Sequence, residues 1–313
     1  MNVITSVKSH MFFSILLIAP LFLAEKHNST HDSQSHHNRR RKVPFVDGPI
    51  QFLNDVHLTG SRTDKACGDH CYQEMYGLFL YQIRDYAARH SESVKFLEIG
   101  LGCGVPYGVG ASIPVWRQIF SSGAAHRNGS SSLDISPSQF SGQGLESASL
   151  DLWMAEIDAS CVEGAKKKGI LDGVNMLIGD QSNPSDLNRW ISESGGNFSV
   201  IVDDGGHRTV HIINSFNTLW PNLAPGGLYF IEDLQVQRAL WNEKPPIADI
   251  ITNWVDQLLV RQGSHKFENN NLSPSMKDMR SIYPVPKGLK WIFCSVESCV
   301  LAKCRNNDVA WCL

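Results

Sequence analysis

Two apolar segments of this chain end in acidic residues. One ends in the run Val-Asp-Asp-Gly-Gly-His, which contains Asp203, Asp204 and His207, and the other ends in Phe-Ile-Glu-Asp, which contains Glu232 and Asp233. Carboxylates this close repel one another unless a proton or a cation lies between them. A hard divalent ion such as Mg²⁺ would meet that need, and His207 would face the same cleft as a general base. A histidine that makes only a structural hydrogen bond at a helix N-terminus is the alternative.

A glycine-rich run follows another apolar segment. It reads Glu-Ile-Gly-Leu-Gly-Cys-Gly and contains Glu98, Gly100 and Gly102. Glycine lets the backbone turn tightly and approach a ligand closely. The run lacks the Gly-x-Gly-x-x-Gly spacing of pyrophosphate-binding loops, and a carboxylate precedes its first glycine. This pattern favours a ligand with an amino group, with an ordinary tight turn as the alternative.

Polar residues lie at the carboxyl ends of two further apolar segments. Glu156 lies in the run Ala-Glu-Ile-Asp, where a carboxylate can accept hydrogen bonds from the two hydroxyls of a ribose. Asp158, in the same run, suits the N-cap of the next helix. Asp180 and Gln181 lie in Ile-Gly-Asp-Gln-Ser and could contact the edge of an adenine, although helix capping by Ser182 is also compatible with this run.

The apolar segments alternate with stretches of helical spacing. This alternation predicts an α/β protein with a Rossmann-like, doubly wound and mostly parallel sheet of seven strands. The last two strands would form a C-terminal antiparallel hairpin. Such sheets bind ligands beyond the carboxyl ends of their strands, which is where every motif above falls. The predicted strands are Val94–Ile99, Leu152–Ile157, Val174–Ile178, Phe198–Val202, Gly227–Ile231, Leu289–Cys294 and Cys299–Lys303.

Taken together, these motifs resemble a known family. They are similar to those of the class I S-adenosylmethionine-dependent methyltransferases, and within them to the metal-dependent sugar O-methyltransferases of the macrocin and mycinamicin type and their eukaryotic relatives. The resemblance runs from about residue 61 to residue 241. It is carried by Thr-Asp-Lys at 63–65, Leu-Glu-Ile-Gly at 97–100, Gly-Asp-Gln-Ser at 179–182, Asp-Asp-Gly-Gly-His at 203–207 and Pro-Gly-Gly-Leu-Tyr-Phe-Ile-Glu-Asp-Leu at 225–234.

The resemblance implies a function and a set of site residues. The reaction would be methyl transfer from S-adenosylmethionine to a hydroxyl of a glycan or a glycosylated small molecule. His207 would be the base, and Mg²⁺ or Mn²⁺ would be bound by Asp204, Asp233 and, as third ligand, Glu98. The cofactor would contact Glu98, Gly100, Gly102, Glu156, Asp180, Gln181 and Asp203. The first glycine loop is longer than in the bacterial family members, and residues 121–149 form an extra, Ser- and Gly-rich surface insertion.

Two other functions are compatible with the sequence. One is a secreted or cell-surface binding protein that has the methyltransferase fold without the activity. The other is a metal-dependent glycosyltransferase that uses Asp203 and Asp204 on a nucleotide sugar. The intact acidic cluster argues against the first, and the glycine loop with Glu98 and Glu156 argues against the second. A net charge of −3 gives no basic field for nucleic acid.

The N-terminal part of the chain predicts entry into the secretory pathway. Residues 11–24 read MFFSILLIAPLFLA, which is shorter than the ~20 apolar residues of a transmembrane helix and suits a signal peptide or signal anchor over residues 1–24. Residues 25–45 are polar and predict a disordered stalk, followed by a methyltransferase domain over 46–313. Any membrane contact would be through the N-terminal segment. Four glycosylation sequons agree with a lumenal location: Asn28, Asn128, Asn197 and Asn271.

Eight cysteines and no Cys-x-x-Cys pair favour disulfides over a zinc site. Cys294 and Cys299 flank the turn of the predicted hairpin, so we expect them to be bonded to each other. Cys304 and Cys312 would then form a second bridge that holds the C-terminal tail. The sequence leaves the acceptor and the oligomeric state open.

Overall fold

The computed structural model describes residues 44–66, 68, 70–121, 148–259, 273–306 and 312. Eight α-helices and seven strands follow one another along these residues, together with a short 3₁₀ helix at Trp220–Asn222 and a π-helix at Gln237–Trp241. The helices are α1 Pro44–Thr59, α2 Gln73–His90, α3 Ile113–Ser121, α4 Ala159–Lys167, α5 Pro184–Ser194, α6 Thr209–Leu219, α7 Ile247–Leu259 and α8 Pro274–Ile282. The strands are β1 Ser93–Ile99, β2 Ser149–Glu156, β3 Asn175–Ile178, β4 Phe198–Asp203, β5 Leu223–Ile231, β6 Leu289–Ser295 and β7 Ser298–Lys303.

The seven strands form one sheet in the order β3-β2-β1-β4-β5-β7-β6. Strands β1 to β5 are parallel, and β7 runs antiparallel to both β5 and β6. The predicted fold class is confirmed, including the C-terminal hairpin. The chain proceeds from β1 outward to β3 and then returns to β4 beside β1, so the strand order reverses between β1 and β4. A cleft opens at the carboxyl ends of the strands at such a reversal.

Apolar layers cover both faces of the sheet. On one face α1, α2 and α3 pack through fully buried rings, with the ring centroids of Tyr76 and Trp116 5.1 Å apart and those of Phe96 and Trp116 5.0 Å apart. On the other face Phe216 of α6 contacts Tyr229 of β5 and Trp254 of α7. The two layers hold the strands rigidly, and the strands in turn fix the positions of the side chains at their ends.

The structure adds elements and refines boundaries. Helices α1, α7 and α8 were not predicted, and α1 begins at Pro44, inside the predicted stalk of residues 25–45. Of the predicted insertion 121–149, Ser121 belongs to α3 and Ser149 to β2, and residues 122–147 lie outside the described residues. Among the described helices none has the length and apolar character needed to cross a bilayer. The predicted leader, residues 1–24, lies outside the described residues.

Both predicted C-terminal disulfides are confirmed. Cys294 is bonded to Cys299 across the hairpin, and Cys304 is bonded to Cys312. A third bridge was not predicted and joins Cys103, after β1, to Cys161 in the first turn of α4.

Candidate active site

A cavity of about 290 Å³ lies at the carboxyl edge of the sheet. Its walls come from the residues that follow β1, β2, β3, β4 and β5, which is the edge that the strand-end motifs predicted. Most of the predicted site residues line it: Gly100, Gly102, Glu156, Asp180, Gln181, Asp204, His207 and Asp233. Glu98 and Asp203 do not. The volume is close to the lower limit of small-molecule sites, at ~300 Å³.

A buried ammonium group lies among the carboxylates beside this cavity. The Lys65 Nζ is 2.5 Å from Asp204 Oδ2 and 2.8 Å from Glu232 Oε2. It is also 3.6 Å from a carboxylate oxygen of Asp64 and 3.6 Å from one of Glu98. The residue Lys65 is only 1% exposed. One cation therefore serves four carboxylates in a region with little solvent.

The charge balance of this cluster shifts the pKa values of its members. Burial alone would lower the pKa of Lys65, but Asp204, Glu232 and the other carboxylates hold it well above its ordinary value. Burial raises the pKa values of Asp204 and Glu232, and raises that of Glu98 to about 7, against the opposing effect of Lys65. A single ammonium group thus leaves the cluster short of positive charge, and a proton or a second cation would stabilise it.

Asp204, His207 and Asp233 lie close together in the wall of the cavity. One potential ligand atom from each lies within 4.8 Å of the others, and His207 Nε2 is 3.4 Å from Asp233 Oδ2. The strand-end reasoning predicted this convergence. His207 and Asp233 both have left-handed backbone conformations, with φ of 54° and 56°. Such conformations are costly for residues with a side chain and concentrate at functional sites.

Asp233 is held by groups that the sequence did not single out as site residues. The Tyr72 hydroxyl donates to its Oδ1 at 2.8 Å, and Gln235 Nε2 donates to the same oxygen at 3.0 Å. His70 approaches this oxygen at 3.6 Å and is itself hydrogen-bonded to Glu297 at 2.7 Å. Burial would raise the pKa of the Asp233 carboxyl, but His207, Tyr72 and Gln235 more than offset this and lower it. Asp233 is therefore fixed in place as an anion.

The glycine loop after β1 is attached to the end of β2. Gly100 has a φ of 104°, and a Cβ at this position would lie 2.2 Å from the Asp204 carbonyl oxygen, so only glycine allows the two loops to pass this closely. Glu156 accepts hydrogen bonds from the backbone N–H groups of Leu101, Ile157 and Asp158. A carboxylate offers about four acceptor positions. Glu156 thus has room for about one ligand hydroxyl, fewer than the two that the sequence suggested.

The polar residues after β3 and at the end of β4 form a buried network. Gln181 donates to Asp203 Oδ1 at 2.9 Å and accepts from the Gly206 N–H at 2.7 Å. Asp203 is 1% exposed and also accepts from Ser215 and Tyr229, so it is not brought to the cavity. Gln181 lines the cavity, but most of its hydrogen-bonding capacity is used within the protein. Asp180 lines the cavity and accepts from the Ser182 N–H.

Glu98 belongs to the carboxylate cluster around Lys65, but it is not in the group of Asp204, His207 and Asp233 whose ligand atoms lie within 4.8 Å of one another. One of its oxygens accepts from Ser112 at 2.5 Å and from Trp116 at 2.7 Å, and the other faces Lys65. Its carboxylate is directed into the layer of α3 rather than into the cavity. Glu98 therefore does not occupy the position of a third metal ligand or of a direct cofactor contact in this structure. Glu232, next to Asp233, lies 2.8 Å from Lys65 Nζ, whereas Glu98 lies 3.6 Å from it.

The fold and the carboxyl edge of its sheet define the structural class of the protein. The strand order, the glycine loop after β1 and the antiparallel hairpin are those of the α/β methyltransferase fold. A solved structure of a methyltransferase from the mycinamycin biosynthetic pathway, in complex with Mg and SAH, has this fold. It matches with a TM-score of 0.51 at 20% identity, over 86% of this chain and 55% of that chain.

The sequence relatives are macrocin- and mycinamicin-type sugar O-methyltransferases. The chain is 28% identical to a demethylmacrocin O-methyltransferase of Streptomyces fradiae over 203 residues, which are 62% of this chain and 42% of the relative. It is 30% identical to a mycinamicin VI 2''-O-methyltransferase of Micromonospora griseorubida over 152 residues, which are 48% and 29% of the two chains. The chain spans less than half the length of these relatives. No family model matches it.

Proposed function

We propose that this chain is an S-adenosylmethionine-dependent O-methyltransferase that acts on a hydroxyl of a glycan or a glycosylated small molecule, assisted by a divalent ion. The observation that carries the proposal is the convergence of Asp204, His207 and Asp233 in the wall of a cavity that the glycine loop also lines. The sugar O-methyltransferases among its sequence relatives support the acceptor class.

The donor set fits a hard divalent ion. Two carboxylates and one imidazole lie within 4.8 Å of one another, close to the ~4.2 Å that separates opposite ligands of one Mg²⁺. Asp204 and Asp233 would bind the ion, and the oxygen of Asp204 that faces Lys65 would stay in its ion pair. The shortage of positive charge around Lys65 favours such an ion. Mg²⁺ and Mn²⁺ are both compatible with oxygen ligands beside a histidine.

The residues of the chain would divide the work of the reaction. When bound, S-adenosylmethionine would supply an electrophilic methyl group, and a divalent ion held by Asp204 and Asp233 would increase the acidity of the acceptor hydroxyl. His207 would take the proton of that hydroxyl. Glu156 and the glycine loop would hold the adenosyl and methionine portions of the cofactor, so that the acceptor oxygen and the methyl group meet in line. Such positioning contributes much of the rate enhancement in a displacement of this kind.

Ligand-dependent thermal stability tests the proposal directly. S-adenosylhomocysteine at about 100 times its Kd should stabilise the fold by about 2.7 kcal/mol, which corresponds to an increase in Tm of about 5 °C or more. A nucleotide sugar, with or without Mg²⁺, should give no increase. A chain stabilised by the nucleotide sugar and not by S-adenosylhomocysteine would be a glycosyltransferase. A chain stabilised by neither would have the fold without the cofactor site.

Turnover on a panel of glycosides, followed by release of S-adenosylhomocysteine, tests the chemistry. His207→Ala should lose about 10² to 10⁴-fold in turnover, the usual effect of removing a positioned base. The same variant should keep the cofactor affinity of the wild type, measured by calorimetry. Near-normal turnover in His207→Ala, or full activity in the presence of a chelator, would contradict these roles.

We further propose that the domain is lumenal or secreted, and that the leader of residues 1–24 directs the chain into the secretory pathway. Three disulfides among the described residues support an oxidising compartment. Asn197, the acceptor of one sequon, is exposed. Expression in eukaryotic cells should give a glycosidase-sensitive mass shift, and an unglycosylated cytosolic product would contradict the location.

A further inference from the structure

A disulfide lies in one wall of the cavity. Cys103 lies in the glycine loop after β1 and lines the cavity, and Cys161 lies in the first turn of α4. The bridge therefore links the elements that follow the neighbouring strands β1 and β2. Neither the fold nor the proposed chemistry accounts for it.

The loop is closed at its base, where the Gly110 N–H donates to the Leu101 carbonyl at 2.8 Å, but its tip has little structure of its own. Glycines with positive φ recur along it, so without restraint it would sample many conformations. The two backbone hydrogen bonds at its tip are long: Val105 N to Gly102 O is 3.4 Å, and Gly108 N to Val105 O is 3.3 Å. Bonds of this length contribute little. The glycines with positive φ are Gly100, Gly102, Gly104, Gly108 and Gly110.

Two side chains attach the tip of the loop to the rest of the cavity wall. Cys103 is bonded to Cys161, and the Tyr107 hydroxyl donates a hydrogen bond to Asp64. All of these residues except Cys161 line the cavity. The covalent bridge is the stronger of the two attachments, because the hydrogen bond can exchange with water. The base of the loop is held by backbone hydrogen bonds and by Glu156, whereas the position of its tip depends chiefly on the disulfide.

We propose that the Cys103–Cys161 disulfide is a positioning element that holds the glycine loop in the shape that binds the adenosyl ligand. This inference rests on the proposed function, because it takes the ligand of the cavity to be S-adenosylmethionine or its product. A loop that is already ordered spares the ligand the entropic cost of ordering it. A released tip of several residues must be ordered again when the ligand binds, so its release weakens binding by about tenfold or more.

The test measures S-adenosylhomocysteine affinity by calorimetry on protein whose bridges have been mapped by non-reducing peptide analysis. The double variant Cys103→Ser/Cys161→Ser should bind about tenfold more weakly than the wild type, or weaker still, by the same estimate. The matched control is Cys304→Ser/Cys312→Ser. It also removes one bridge, but the Cys304 carbonyl accepts from Gly226, at the amino-terminal part of β5 and away from the cavity. The control should keep the wild-type affinity.

The outcomes separate this inference from the proposed function. A wild type that does not bind S-adenosylhomocysteine refutes the function. A wild type and a Cys103→Ser/Cys161→Ser variant with equal affinity refute the positioning role alone, as does an equal loss in the control. If the double variant does not fold, wild-type protein is treated with a phosphine, which together with one water converts the disulfide into two thiols and is itself oxidised to the phosphine oxide. Unchanged affinity in folded protein with Cys103 and Cys161 free would also overturn the proposal.

Discussion

Replacing Lys65 by methionine is the sharpest perturbation of this site. Methionine keeps most of the buried volume and removes the ammonium group that is paired with Asp204 and Glu232 at 2.5 and 2.8 Å. Removing one partner of a buried ion pair costs about 3–5 kcal/mol, because the remaining charge is left uncompensated. Four carboxylates lose their cation in this variant, so we expect a loss of free energy of unfolding in this range at pH 7.

The loss should depend on pH and on divalent ions. Burial raises the pKa values of Glu232 and Asp204 even in the presence of Lys65. A carboxyl whose pKa is higher in the folded state stabilises the fold at low pH and loses that contribution as the pH rises through the folded-state value. Lys65→Met should therefore approach wild-type stability as the pH falls from 7 towards 5. Mg²⁺ should restore part of its stability at pH 7, because the ion supplies the missing charge.

Urea unfolding monitored by circular dichroism, at pH 5 and 7 with and without Mg²⁺, measures these effects. Lys303→Met is the matched control, because its ammonium group is also partly buried but donates to the backbone carbonyls of Trp220, Pro221 and Leu223. The control should lose less stability and should not respond to Mg²⁺. If Lys65→Met stays within about 1 kcal/mol of the wild type at pH 7, below the range for a broken buried pair, the cluster does not depend on its ammonium group.

Three more predictions follow from single residues of the site. Burial raises the pKa of Glu98 to about 7, so its carboxyl destabilises the fold once it ionises. As the pH rises from 4.5 to 7, the wild type should therefore lose about 3 kcal/mol of unfolding free energy relative to Glu98→Gln. Stability curves that stay parallel over this pH range would contradict the prediction. Glu156→Ala should weaken S-adenosylhomocysteine binding by about 1–3 kcal/mol, since it leaves polar partners unpaired, and equal calorimetric affinities would remove Glu156 from the site. Asp204→Asn should abolish the Mg²⁺-dependent rise in Tm while Asp180→Asn retains it, and a response in both would place the ion elsewhere.

Most of the fold could be predicted because the strands are short apolar segments at regular spacing. The helices that were missed have different causes. Helix α1 contains Pro49, which argues against a helix interior. Helix α8 has only nine residues and none of them is buried, although Met276, Met279 and Ile282 recur at three-residue spacing. Helix α7 does carry one, with Ile247, Ile250, Ile251 and Trp254 all buried, and its periodicity is sufficient to predict it.

The site was predictable where residues follow parallel strands, because the carboxyl ends of such strands meet at one edge. Asp204, His207 and Asp233 converge for this reason. Lys65 lies on a segment between α1 and α2 and reaches Asp204 across 139 residues of sequence, so strand spacing carries no signal for it. The strand-end pattern indicates that carboxylates such as Asp204 and Glu232 need a proton or a cation between them, but it points to a metal ion and not to Lys65. The direction of Glu98 depends on the packing of Trp116 and Ser112, which the sequence does not reveal.

The backbone at the cavity argues for chemistry rather than for a fold that has lost it. His207 and Asp233 both have left-handed conformations, each at a cost of about 1–3 kcal/mol in residues other than glycine. Glycine would relieve this strain, and glycines already stand at 205 and 206. A site under selection for stability alone would have no reason to keep an imidazole and a carboxylate in these two positions. Their side chains instead face each other at 3.4 Å beside an acidic cluster that is short of positive charge. The strain and the charge imbalance occur at the same place, which supports the proposed cation-binding active site over a fold that has lost its chemistry.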